Sequence, residues 1–387
     1  GDKLKLKQMI KNECEKDNQL AVRLAKLAGY EKVNGFYKFV NTPEKEMENI
    51  EGLINIVKSL FPDNEEQLLS EYFLELDPNK KCARHSVEYS DLNQWDELTD
   101  QLIKNLCEST NSISREWGQI YSIHRRLNKS EITLNDAIRE TGKFRIKTPE
   151  MFLFSNILIM YEYLKIGEFG LMKSTSQFLD IEELPDGFIK ECYYGRIELL
   201  KANISLNDYE LEDTRIHCQK VIESTNNNRL IVFGYLTYGN TFIFEDYEEA
   251  KLCYEKGMEY AKENPHHVYK LELALCFLNN VWAKDNKWID FQSNEIPDMI
   301  EVAYYLVNMK ELEKAASIIE KIEKLNVLDD DLGFLNHVKG LLYDDVSFFH
   351  ESIKKFKKSG DKLCLNLPLI ELKKRGYTDE ILNLISL

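Results

Sequence analysis

One pattern constrains this chain more than any other. A small residue is followed four places on by a bulky one and three places later by another small or compact one, and the set recurs. Ala250, Tyr254 and Gly257, inside EDYEEAKLCYEKG, form the clearest copy. Thr214, Cys218 and Val221 stand 36 residues earlier; Ala315, Ile319 and Ile322 stand 65 later; Ser352, Phe356 and Ser359 stand another 37 on. Residues spaced four and three apart share one face of an α-helix. Recurring at a near-constant interval, such a face is buried by stacking each helix pair on the next. The interval of 65 holds two repeats with a degenerate one between. Upstream of the clearest copy, a helix from Leu230 to Phe244 supplies Phe233, Leu236 and Gly239.

These intervals sit close to the 34-residue tetratricopeptide repeat with small loop insertions. The rest of the chain agrees with an all-α fold. Pro43, Pro62, Pro78, Pro149, Pro185, Pro265, Pro297 and Pro368 mostly fall at helix boundaries. No run of alternating Val, Ile and Thr suggests a sheet. Helical pairs continue from about residue 80 to 200, though the signature there is eroded. The most apolar stretch, Met151 to Leu164, is broken by Ser155, Asn156 and Glu162 and is too short and polar to span a bilayer. The eight cysteines are scattered without a C-x-x-C pair, which reads as reduced, buried core positions. The opening Gly1-Asp2-Lys3-Leu4-Lys5 lacks the apolar run of a secretory leader. The expectation is a cytoplasmic protein without membrane contact.

Charge divides the chain. Residues 1–43 hold nine Lys/Arg against five Asp/Glu, a net of +4; in a chain of net −16, residues 44–387 therefore carry −20. A polyanion would meet the small basic head, not the acidic body. The head reads as three helices: Lys3 to Glu15, a second over Leu20 to Leu27 capped by Asp17 or Asn18, and a third over Val33 to Val40. Leu4, Leu6, Met9, Ile10 and Cys14 offer apolar contacts on the first, and Leu20, Leu24 and Leu27 share a face of the second. Ala21, Ala25 and Ala28 allow close approach, Gly29 stops the helix, and Phe36, Phe39 and Val40 turn inward. Two short helices with a glycine corner are the arithmetic of a helix-turn-helix. Its third helix would present Asn34, Tyr37, Lys38 and Asn41 to DNA, Asn pairing with adenine and Lys and Tyr reaching phosphate or guanine. Lys3, Lys5, Lys7, Lys11, Arg23, Lys26 and Lys32 are candidates for the phosphate backbone. A plain three-helix cap with solvated lysines fits the same residues. A net of +4 is modest, so two heads on a dimer fit DNA better than one.

The body would present its first helices along a groove suited to an extended peptide. Asn203, Asn240 and Asn279 recur at spacings of 37 and 39, with Asn207 one turn beyond Asn203. An amide side chain carries donor and acceptor together, so a row of them can hold a peptide backbone without reading its side chains. Each one alone is equally a cap or a solvated position. Arg229, Phe233, Leu236 and Asn240 fall in one stripe, where an arginine can clamp a free C-terminal carboxylate. Glu301, Asp330 and Asp361 would make an acidic end for a cationic side chain, although three acids among 66 mean little by themselves. No phosphate loop, dinucleotide fingerprint, zinc-protease motif or nucleophile elbow is present, and the histidines are dispersed. A non-enzymatic protein without metal or cofactor is expected.

The strings YSIHRRL, IKTPEM, LTYGN, ALCFLNNVW, NKWIDF, IKKFKKS and LPLIEL are uncommon in generic repeats and extend over much of the chain. On them the sequence resembles the peptide-pheromone receptors of Gram-positive bacteria, the Rap, NprR, PlcR and PrgX group, and within it the arbitrium receptor family, AimR, of temperate Bacillus phages. The resemblance implies a quorum-sensing homodimer in the host cytoplasm that binds operator DNA when peptide is absent and activates a transcript opposing lysogeny. A short phage-encoded peptide ending in Arg-Gly-Ala would enter the groove and end that activation. The family's contact positions fall on Asn203, Asn207, Arg229, Asn240, Phe277, Asn279, Glu301, Asp330, Asp361 and Leu363. Asparagines would hold the peptide backbone, the acids its Arg, and Arg229 its terminal carboxylate. The C-terminal helix, Asp379 to Leu387, resembles the family's dimerisation element through Ile381, Leu382, Leu384, Ile385 and Leu387. The expected division is a DNA-binding head at 1–47, a peptide-binding repeat region at 48–375 and a dimerisation helix at 376–387. Two other readings stay open. One is a Rap-like response-regulator phosphatase, against which the basic head and the LAKLAG corner speak; the other is a repeat scaffold that binds a partner protein and no DNA.

Overall fold

The computed structural model describes residues 2–262 and 264–387, with side chains from Lys5 onward. The side chains of Lys3 and Leu4, expected at a phosphate and in the head's core, lie outside the described residues. Among the described residues there are 22 α-helices and no strand, and no helix is long and apolar enough to cross a membrane. The chain forms two compact units, one of Gly1–Ser155 and Ile181–Cys192, the other of Asn156–Asp180 and Tyr193–Leu387.

The first unit begins with α1 (Asp2–Lys16), α2 (Leu20–Leu27) and α3 (Val33–Asn41). The three pack on one another through Leu6, Ile10, Ala21, Leu24, Ala25, Phe36 and Phe39. The second helix departs from expectation in phase. Its buried face is Ala21, Leu24, Ala25 and Ala28, while Leu27 is 43% exposed and Leu20 half-buried. Close crossing selects the alanine side: a Cβ at Gly52, on the fourth helix of the chain, would stand 2.6 Å from Ala28 O. The cap also differs. Gln19 is the N-cap, and Asp17 instead accepts from Gln19 N at 2.9 Å. At the other end Gly29 takes a φ of +84°. There Tyr30 N donates to Ala25 O and Gly29 N to Lys26 O, the paired bonds of a Schellman stop.

The unit continues through α4 (Ile50–Leu60), α5 (Glu65–Leu74), α6 (Lys81–Leu92), α7 (Asp96–Cys107), α8 (Ser112–Asn128) and α9 (Leu134–Lys143). The next helix, α10 (Pro149–Ile166), passes into the second unit, as does α12 (Phe188–Asn207) after α11 (Phe169–Ser176). The head is thus part of a larger unit: α1 packs on α5 and α2 on α4. One cysteine reading is corrected here. Cys107, the last residue of α7, is exposed and Cys14 half-buried; the other six are buried, and all eight are free.

The second unit stacks α13 (Leu211–Ser224), α14 (Asn228–Asn240), α15 (Tyr247–Ala261), α16 (Pro265–Val281), α17 (Ile296–Asn308), α18 (Leu312–Glu323), α19 (Asp329–Tyr343) and α20 (Val346–Ser359). It closes with α21 (Asn366–Lys374) and α22 (Asp379–Ser386). All twelve residues of the four recurring triads are buried, on α13, α15, α18 and α20. Pairing is tight because a glycine faces each large ring. A Cβ at Gly239 would meet the Tyr254 ring at 2.5 Å, and one at Gly333 the Phe356 ring at 2.5 Å. The degenerate repeat is α16 followed by an irregular stretch, 282–295, in place of a second helix. Asn286 fixes that stretch by donating to Cys276 O (2.8 Å) and Asn280 Oδ1 (3.0 Å) and accepting from Trp288 N (3.2 Å). Trp288 can therefore pack on the core around Val232, Tyr254 and Leu271.

Candidate ligand groove and candidate nucleic-acid interface

The inner helices of the second unit enclose a cavity of about 310 Å³. Its wall draws on α10, α11, α12, α14, α16, α17, α19 and the loop after α20. That loop is placed by Gly360, whose φ of +85° ends α20. Lys362 N then donates to Asn207 O at 2.7 Å, tying the loop to the end of α12.

Seven of the expected contact residues line this cavity: Asn203, Asn207, Asn240, Phe277, Glu301, Asp361 and Leu363. Their amides are not equivalent. Asn203 Nδ2 donates to Leu199 O (2.9 Å) and Asn207 Nδ2 to Asn203 O (2.8 Å), so both are turned back on their own helix and keep Oδ1 as an acceptor. Asn240 is the reverse. Its Oδ1 accepts from Tyr254 Oη, and its Nδ2 remains as a donor. Together they offer acceptors on one wall and a donor on another, which suits the N–H and C=O of an extended peptide.

Three expected residues stand outside the cavity wall: Arg229, Asn279 and Asp330. Asn279 is buried, and its Oδ1 accepts from Tyr247 Oη at 2.6 Å. The repeat spacing equated it with Asn240, but its bond leads into the packing between repeats. Arg229, in the first turn of α14, is half-buried. Burial, together with the Arg229 charge, pushes the neighbouring His267 down to about 4. Asp330 lies directly behind Asp361 and shares a hydrogen bond with it. Two further charged residues line the cavity without having been anticipated, Lys270 and Asp331. The signal for Lys270 was present: Lys270, Ala274 and Phe277 form an i, i+4, i+7 stripe on α16. Asp331 sits beside Asp330 in the first turn of α19.

The electrostatics of this wall are unusual. Glu301 is 7% exposed and is held by Asn280, whose Nδ2 donates to Glu301 Oε2 at 2.7 Å and to Glu301 O at 3.0 Å. Burial, reinforced by the charge of Asp298, pushes its carboxyl up to about 8. Burial raises Asp331 as well, against the opposing charge of Lys270. The Asp330–Asp361 pair is raised chiefly by burial, with mutual repulsion acting on Asp330. Cys364 N, donating to Asp361 Oδ1 at 3.0 Å, and Ser359 Oγ, donating to Asp330 Oδ1 at 3.4 Å, oppose the shift in part. None of these four acids has a salt-bridge partner among the described residues. For Glu301 and Asp361, which are buried, the lack of a counter-ion is costly beside an apolar wall such as Leu236, Phe277, Ile300 and Phe334; Asp330 and Asp331 are half-buried. A cationic group entering the cavity would remove that cost.

In the head, Arg23, Lys26, Lys32, Asn34, Tyr37, Lys38 and Asn41 are all exposed. Asn34, Tyr37, Lys38 and Asn41 share one face of α3 at i, i+3, i+4, i+7. Arg23 is held by Asp17 at 2.8 Å, and Lys5 by Glu71 at 3.2 Å, both surface pairs that phosphate can displace. Lys7 overturns the sequence reading. It is 2% exposed, its ammonium enclosed by backbone carbonyls, and is no phosphate contact.

At the C-terminus, Ile381 and Leu384 on α22 are 46% and 70% exposed, and Leu387, its C-cap, is 90% exposed. Leu382 and Ile385 instead pack on the core around Phe349 and Leu372.

Comparison with known proteins accounts for this combination. Residues 65–374 match the family described as AimR transcriptional regulator-like. The AimR transcriptional regulator of Bacillus phage phi3T is 60% identical over 379 residues, 98% of this chain and 100% of that protein. The AimR transcriptional regulator of Bacillus phage SPbeta is 40% identical, covering 98% of each. A solved structure of selenomethionine-labelled phAimR superposes with a TM-score of 0.78 at 60% identity, over 99% of this chain and 100% of that one. A phAimR structure with ligand superposes with a TM-score of 0.83 at 56% identity, over 87% of this chain and 100% of that one. The protein with the basic three-helix head and the acid-lined helical-repeat groove belongs to the AimR transcriptional regulator-like family.

Proposed function

We propose that this protein is a peptide-controlled transcription regulator of a phage lysis–lysogeny decision. As a homodimer without peptide, it binds operator DNA through its heads and activates an anti-lysogeny transcript. A short phage-encoded peptide ending in Arg-Gly-Ala occupies the groove and ends that activation. The observation that carries this reading is the pair of buried carboxyls without a counter-ion at Glu301 and Asp361, with the half-buried Asp331 beside them, in a largely apolar cavity edged by asparagine amides. Such a wall favours a ligand with a guanidinium and an extended backbone over a neutral or anionic one. The ligand-bound phAimR relative supports a groove that takes a ligand. Asn203, Asn207 and Asn240 hold the peptide backbone, while Glu301 and Asp361, with Asp330 behind, receive the arginine. Phe277 and Leu363 pack on its apolar parts. Arg229 and Asn279 stand outside the cavity wall and act on the peptide only from its margin. The exposed face of α22, Ile381, Leu384 and Leu387, joins the two copies.

Fluorescence polarisation with a labelled hexapeptide ending Arg-Gly-Ala tests the ligand. Tight binding is expected, with a loss of about tenfold or more in Asn240→Ala and in Asp361→Asn. Equal binding of a peptide with Arg replaced by citrulline would contradict the assignment of the acids.

A further inference from the structure

Lys7 differs from every other lysine described in the head. Its Nζ donates to Thr42 O at 2.7 Å, to Pro43 O at 3.2 Å and to Lys45 O. The ammonium also lies 4.4 Å from the centre of the Phe39 ring. Its three N–H groups all find carbonyls, which is what allows a lysine to be buried. Thr42 is the C-cap of α3, so the charge sits at the negative end of that helix dipole.

The chain beyond is fixed as well. Cys82 Sγ donates to Met47 O (2.9 Å) and Glu48 O (3.2 Å), and Asp77 N donates to Glu46 Oε1 (2.9 Å). Met47 is 4% exposed. The stretch from Asn41 to Asn49 is therefore clamped to α1 on one side and to α6 and the turn before it on the other. It is not a loose tether between a head and a body.

We infer that Lys7 is a positioning residue for DNA recognition: by gripping the exit of α3 it sets the angle at which Asn34, Tyr37 and Lys38 meet the duplex. This rests on the DNA-binding reading above. Lys7 itself touches no phosphate, so its removal impairs sequence discrimination without removing an ionic contact.

The test is Lys7→Met in the full chain, which keeps the alkyl stem. Anisotropy is measured on a phage intergenic duplex bound by wild type and on a scrambled duplex, across a salt series. Affinity for the specific duplex should fall about tenfold or more, as for a misplaced base contact. The slope of log K against log salt should stay unchanged, as should affinity for an Arg-Gly-Ala hexapeptide. Lys7→Arg, which retains donors for the carbonyls, should recover part of the loss. Faster amide hydrogen exchange at Val40 to Thr42 should accompany it. A slope smaller by about one would make Lys7 a phosphate contact and overturn the inference; so would unchanged specific affinity. Should Lys7→Met fail to fold, Phe39→Leu, which keeps an apolar side chain in the head's core but replaces the ring beneath the ammonium, gives a milder loss with the same unchanged slope. A wild-type chain that binds no duplex refutes the DNA reading instead, and amide exchange then still reports whether Lys7 clamps the helix exit.

Discussion

Peptide binding to this groove should release protons, and the reason is Glu301. Burial holds its carboxyl at about 8 in the ligand-free protein, so at pH 7 only a minority of molecules carry the anion. A guanidinium needs that anion. Ionising the group one unit below its pKa takes about 1.4 kcal/mol, so affinity at pH 7 falls about tenfold below its value well above pH 8. Between pH 6 and 7 the same argument gives roughly another tenfold. Asp330, Asp331 and Asp361 are raised too and act in the same direction. Calorimetry with the hexapeptide at several pH values, in two buffers of different ionisation enthalpy, reads both quantities. About one proton should leave per peptide near pH 7. An N-acetylated peptide removes the ligand's own amino group, which titrates near pH 8. Glu301→Gln should flatten most of the profile. Constant affinity from pH 6 to 8.5, or an identical rise in Glu301→Gln, would refute the reasoning. The same shift bears on stability. The folded pKa of Glu301 lies above its unfolded value, so its contribution is fully present below about pH 4.5 and is lost as pH rises through about 8. The ligand-free protein should melt lower at pH 8.5 than at pH 6, and peptide should reduce that difference.

Other consequences are simpler to read. Gly333→Ala forces a Cβ to within 2.5 Å of the Phe356 ring, a rigid neighbour. Overpacking of this kind costs about 1–3 kcal/mol, so calorimetric melting of the second unit should drop by several degrees; an unchanged melting temperature would show that the α19–α20 pair can slide apart. Leu384→Asp, at a position 70% exposed, should leave the monomer fold intact and abolish the proposed self-association in sedimentation velocity. A dimer that persists would place the contact elsewhere.

What the sequence disclosed, and what it hid, follows from how each feature is encoded. The triads were legible because burial at a fixed period leaves a periodic trace, and all twelve residues are buried. The groove was only partly legible because identical residues at equivalent spacings meet different neighbours. Asn240 and Asn279 both accept from a tyrosine hydroxyl, yet only Asn240 lines the cavity. Lys270 is hidden because a lysine on a helix usually faces solvent, and only its i, i+4, i+7 spacing with Ala274 and Phe277 marks the groove side. In the head the misreadings were of phase and depth. Leu27 looked like core because leucine outranks alanine in hydrophobicity, but the close crossing at Gly52 selects alanine. Lys7 looked like a surface charge because nothing local announces the three carbonyls, 35 to 38 residues away, that enclose it.

The central claim is that ligand in the acidic groove governs the basic head. Anisotropy of a labelled phage intergenic duplex, titrated with the whole chain in the absence and presence of saturating Arg-Gly-Ala hexapeptide, tests it most directly. The account predicts specific binding without peptide, abolished by Lys38→Glu, and loss of the productive complex when peptide is added. No DNA binding in either state, or a complex that peptide leaves wholly unchanged, would contradict it.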